Sequence, residues 1–185
     1  MRKRLSLRSS AIPIATLGLV AVGLAALNAA AQNSGLSVSD CRDATGTYFV
    51  SMAGRGGDSS VTSRGLLSLS SDGQAILIDA NQDGVAGFGP YSTAAGAWTC
   101  ISSNDQSNEV SVLMLHFTFI THEHPAQQIG RITIDATIDA SQDSLAGTLG
   151  FSLLPLDGNP LGEASGEPSL SGPITGQRVE APERG

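Results

Sequence analysis

The stretch Ile129-Gly-Arg-Ile-Thr-Ile-Asp-Ala-Thr-Ile-Asp-Ala-Ser-Gln-Asp-Ser-Leu-Ala-Gly-Thr-Leu-Gly-Phe-Ser-Leu153 sets an acidic turn between two alternating runs. Before the turn, Ile132, Ile134, Ala136 and Ile138 share one face, and Arg131, Thr133, Asp135 and Thr137 share the other. After it, Leu145, Gly147, Leu149, Phe151 and Leu153 alternate with Ala146, Thr148, Gly150 and Ser152. A period of two is that of a strand with one buried face, so this is a β-hairpin. Its turn opens a decapeptide, Ile138-Asp-Ala-Ser-Gln-Asp-Ser-Leu-Ala-Gly147, that nearly repeats Ile78-Asp-Ala-Asn-Gln-Asp-Gly-Val-Ala-Gly87.

The same extended character runs outward from this hairpin. Thr45 to Met52 is rich in β-formers, and Val61 to Ser70 places Gly65, Leu67 and Leu69 on one face. Ser71-Asp72-Gly73 is a hairpin turn, because Asp-Gly takes the positive φ angles such turns need, and Gln74 to Asp79 returns from it. Val85 to Tyr91 and Ala94 to Ile101 are further extended segments. Val110 to Thr121 is the most apolar run, with Leu113, Leu115, Phe117 and Phe119 on one face and Val110, Val112, Met114 and Ile120 on the other. Nothing after Gln32 keeps a helical period over three turns. The pattern predicts an all-β domain over residues 41–155, an up-and-down antiparallel meander of seven or eight strands closing into a small barrel. The alternative is a two-sheet β-sandwich.

Residues 1–31 read as a signal peptide: Arg2, Lys3, Arg4 and Arg8, an apolar stretch from Ile12 to Leu27, then Ala29-Ala30-Ala31 as a cleavage site. An uncleaved anchor is the rival reading. Export, periplasmic or secreted, is therefore expected. Residues 32–40 form a polar lead-in. Residues 156–185 are rich in Pro, Gly, Ser and Glu and are expected to be a mostly disordered tail, with a short strand at 174–179.

The whole chain carries a formal charge of −7. Without residues 1–31 it has six Arg and no Lys against seventeen acids, hence −11. Such a surface repels phosphate backbones and anionic headgroups, which argues against nucleic acid as a partner and against membrane binding. Cys41 and Cys100 are the only cysteines. Export puts them where a disulfide persists, tying the start of the domain to a mid-chain strand. Neither belongs to a CxxC pair, which favours a structural bridge over redox or metal chemistry.

Gly46-Thr47-Tyr48 on the first strand resembles the Gly-x-Trp opening of lipocalin-type and other calycin-like barrels, with Tyr in place of Trp. The order that follows, an Asp-Gly hairpin and later Gly96-Ala97-Trp98, is similar to that of small exported bacterial proteins of lipocalin-like appearance. The resemblance implies a calyx open at one end and a small apolar ligand. It transfers no binding residue.

Asp79-x-Asn81-x-Asp83-Gly84 matches the first half of a calcium-binding EF-hand loop, but Pro90 stands where the closing Glu belongs and no helices flank it. Turn chemistry explains these side chains more simply, with a weak calcium site at Asp79, Asn81 and Asp83 as the competing reading. His122 and His124, two apart, could chelate zinc or copper, but a solvated turn before Pro125 is the preferred reading. No Gly-x-Ser-x-Gly elbow is present, and nothing names an acid or base.

The leading expectation is thus an exported, non-enzymatic barrel that holds a small lipophilic molecule, with no cofactor. Leu113, Leu115, Phe117, Ile132 and Ile134 are its expected lining. A cavity on the order of several hundred Å³ would mark this function. The other reading is a structural or protein-interaction module of the cell envelope, marked by a filled interior and an exposed apolar patch.

Overall fold

The structure, a computed structural model, describes residues 36–56, 59–84, 89–162 and 167–180. The signal segment lies outside the described residues, as do residues 85–88 of the extended segment expected at 85–91. Eight strands form a closed antiparallel barrel in strict chain order: β1 (Gly46–Gly56), β2 (Ser59–Leu69), β3 (Gln74–Asp79), β4 (Ala94–Ser103), β5 (Ser107–Phe117), β6 (Gln128–Asp139), β7 (Ser144–Pro155) and β8 (Leu170–Arg178). The meander is the expected one, and the sandwich alternative falls away.

Closure depends on the chain beyond Pro155. β8 pairs with β7 from Phe151↔Leu170 to Ser144↔Gln177 and with β1 from Arg55↔Ser171 to Tyr48↔Arg178. Without it, β1 and β7 would each expose an unpaired edge. The barrel therefore extends to Arg178, not to 155. Sparse apolar residues do not prevent a strand here, because main-chain pairing on both sides orders it and Leu170 and Ile174 point into the core.

The strands run between two unlike ends. At one, the 3₁₀ turn η1 (Val38–Ala44) plugs the barrel, with Cys41 and Ala44 fully buried. The Cys41–Cys100 disulfide pins this plug to β4. By loop-closure entropy such a bridge contributes roughly 4 kcal/mol. Tyr48, Leu67, Leu69, Val110, Val112, Ile134, Ile138 and Leu145 pack this half of the interior solid. Trp98 is buried beside them, and its Nε1 donates to Ser70 O at 2.9 Å.

Arg178 fastens the same end. Its guanidinium lies 5.0 Å from the Tyr48 ring centroid, its Nε donates to Asp143 Oδ1 at 2.8 Å, and its remaining nitrogens donate to the carbonyls of Thr45 and Asp43. The Tyr48 hydroxyl donates to Ala44 O at 2.9 Å. Burial pushes its pKa up to about 12, against the opposing pull of Arg178.

Candidate functional site

The other end is not filled. Here β3, β5 and β7 run into the mouth, and the described residues of two connecting loops, 80–84 with 89–93 and 118–127, lie over it. The two loops are tied together: Phe119 N donates to Pro90 O at 2.7 Å, Ser92 N to Phe117 O at 2.9 Å, and Tyr91 and Thr118 form a β-bridge. Beneath them lies a cavity of about 140 Å³. Met52, Val61, Leu77, Ile132, Leu149, Phe151, Leu153 and Leu170 make its apolar wall, while Ser63, Asp79, Tyr91, His116, Thr118, His124 and Gln128 bring polar groups to it.

Strand alternation delivers the central polar side chains. Ala75 and Leu77 face inward on β3, so Asp79 does too; Val110, Val112 and Met114 face inward on β5, and His116 follows. Asp79 accepts hydrogen bonds from the Ser63 hydroxyl and from Asn81 N at 2.9 Å. Burial raises the Tyr91 pKa, and the nearby Asp79 charge reinforces the shift.

His116 is 3% exposed, and its Nδ1 has no hydrogen-bond partner among the described residues. Its ring sits between Tyr91, with centroids 4.7 Å apart, and Phe151, stacked at 5.7 Å. A Cβ on Gly130 would lie 1.8 Å from His116 Nε2, so only glycine opposite allows the imidazole this place. Burial lowers the His116 pKa to about 4, the charge of Asp79 opposing that shift. The ring is therefore neutral at neutral pH.

Of the residues expected to line the interior, Ile132 is on the cavity wall and Ile134 is fully buried in the packed half. Leu113, Leu115 and Phe117 are on the outer face, and Phe117 is 48% exposed. The correction follows from register: Val112 pairs with Ile134 and Met114 with Ile132, whereas Leu113 lies opposite Thr133 and Leu115 opposite Arg131. Directly opposed residues share a face. The run from Val112 to Leu115 is apolar on both faces and does not distinguish them. The signal for the correct face lay just before it: Glu109 and Ser111, in phase with Leu113 and Leu115, mark that face as the outer one.

Two of the three calcium-loop residues are engaged otherwise. Asp79 turns inward to Ser63 and Asn81 N, Asn81 Nδ2 donates to Thr62 O at 3.2 Å, and no group of three or more His, Cys, Asp or Glu among the described residues is placed to hold a metal. His122 and His124 diverge: the first is exposed, while the second packs over Gly89 at the cavity rim. Among the described residues no helix is long and apolar enough to cross a membrane.

Fold and site together define an eight-stranded meander barrel, plugged at one end and hollow at the other. No protein-family model, curated protein or solved structure matches the chain.

Proposed function

We propose that this is an exported, non-enzymatic barrel that binds a small lipophilic molecule at its hollow end. The observation that carries the reading is the contrast between a solid, disulfide-pinned half and a partly open cavity bordered by two mutually bonded loops. The calycin resemblance of Gly46-Thr47-Tyr48 supports it, as does the apolar wall. The cavity is smaller than the several hundred Å³ expected of a deep calyx, because Ile134, Val112 and Val50 fill the floor. At about 140 Å³ it matches a single ring, since an apolar cavity of about 150 Å³ admits benzene.

Native mass spectrometry of the protein purified from its own host tests this. A bound small-molecule mass that disappears in Leu149→Trp, with the melting temperature followed as a folding control, is the expected result. A clean apo mass, with no binding of ring-sized probes, would refute it.

One observation favours the interaction-module reading. Phe49, Leu66 and Ile78 are direct cross-strand neighbours on the outer face and are 47%, 39% and 48% exposed. Pull-down from envelope extract with Leu66→Glu as control tests it: a partner held by the native protein and lost in the variant supports a docking face.

A further inference from the structure

The polar corner of the cavity narrows the ligand's chemistry. Asp79 is the only Asp, Glu, Lys or Arg side chain on the described lining, and no guanidinium or ammonium faces it across the cavity. A carboxylate ligand would meet this charge with nothing to offset it. His116 lines the same cavity and stands beside this carboxylate, within reach of its charge. The rings of Tyr91 and Phe151 line the same corner, and aromatic rings of this kind attract cations.

Building on the ligand-binding reading above, we propose that the cavity takes a small organic amine as its cation. A single-ring body would pack against Ile132, Leu149 and Phe151, and the ammonium would sit between Asp79 and His116. An ammonium has three N–H donors and no acceptor. Asp79 accepts one of them, with the Ser63 hydroxyl and Asn81 N already holding the carboxylate in place. The neutral His116 ring accepts another through its cavity-facing nitrogen. Because the imidazole carries no charge at neutral pH, it does not repel the guest. The chain's formal charge of −7 draws cations to the mouth as well.

Three probes of one size and different charge test the proposal: benzylamine, benzyl alcohol and benzoate, titrated by calorimetry at neutral pH into the full disulfide-bonded protein. Benzylamine is expected to bind at least about tenfold tighter than benzyl alcohol, because the charge-assisted contact strengthens out of water, and benzoate to give no heat. Asp79→Asn should bring benzylamine down to the level of benzyl alcohol and leave the alcohol within about twofold. Equal binding of amine and alcohol overturns the cation assignment while keeping the cavity as a ligand site. Tight benzoate binding, or an unchanged ratio in Asp79→Asn, does the same. Silence from all three probes, with a clean host mass spectrum, overturns the cavity reading itself. Should Asp79→Asn not fold, imidazole NMR of the native protein decides: benzylamine should shift the His116 resonances and spare His122. Shifts at His122 alone would place the amine on the acidic surface and end the proposal.

Discussion

The two near-identical decapeptides face opposite ways. In the first, Ile78 is 48% exposed and Asp79 points into the barrel; in the second, Ile138 is fully buried and Asp139 points out. Both aspartates accept a hydrogen bond at 2.9 Å from the backbone amide two residues on, so the local turn chemistry is shared. Their surroundings are not. Asp79 lies at the hollow end under a long loop and gains the Ser63 hydroxyl. Asp139 lies at the plugged end in a tight hairpin, where the Ser141 hydroxyl, 2.6 Å away, holds its carboxyl below the usual range. The left-handed residue differs too, Gly84 in one copy and Asp143 in the other. Asp143 then receives Arg178 and becomes part of the clamp that closes the plugged end. A shift of one residue against a period of two exchanges buried and solvent faces completely, so the same words can serve the wall of a cavity and a structural latch.

The isoleucines give the sharpest contrast. Ile138→Ala should destabilise by about 3–4 kcal/mol, as cavity-forming core truncations do, while Ile78→Ala should cost less than about 1 kcal/mol. Chemical denaturation of the two variants reads the difference directly. Equal losses would mean that the two copies face the same way after all.

The hollow end should also respond to acid through His116. Its pKa is about 4 when folded and 6.5 in the ordinary range, so the unfolded chain binds more protons between those values. Stability contributed by the neutral ring is complete above pH 6.5 and is lost as the pH falls toward 4, in all by roughly 3 kcal/mol. Denaturation midpoints across this window should therefore fall more steeply for the native protein than for His116→Phe. Parallel slopes would show that the ring is not buried neutral.

At the plugged end, Arg178→Met removes the guanidinium from over Tyr48 together with the donors to Asp143, Thr45 and Asp43. A loss of about 2 kcal/mol is expected, as for hydrogen bonds made by a charged group, and Asp143→Asn should lose less because that pair is partly exposed. Ligand-probe affinity at the far end should stay unchanged in both, which isothermal titration checks. The smallest effect belongs to Asp139→Asn, whose side chain lies on the outer face and should leave the thermal midpoint almost unmoved. Asp79→Asn, its counterpart, should change amine affinity far more than stability.

Much of the barrel was legible in the chain. Ile132 to Ile138 and Leu145 to Leu153 alternate with a clean polar partner face, and the Asp-Gly hairpin separates two strands as read. Cys41 and Cys100 were the only candidates for a bridge, and they form it. The site was less legible, for identifiable reasons. Gln74 to Ile78 and Val112 to Leu115 are apolar on both faces, so hydrophobic pattern could not say which side met the core. Arg178 lay within the short strand expected at 174–179, but the surrounding composition is that of a linker, so its pairing with both β1 and β7 was not read.

By itself, then, the sequence determined strand periodicity, antiparallel chain order and the two cysteines, because each depends on local preference or simple counting. Tertiary structure alone decided that Asp79 and His116 turn inward while Asp139 and Leu115 turn outward. It also decided that residues 170–178 close the barrel and that one end is solid and the other hollow. Those outcomes depend on register between strands far apart in the chain, where one residue of slip reverses every side chain. No single segment encodes that choice.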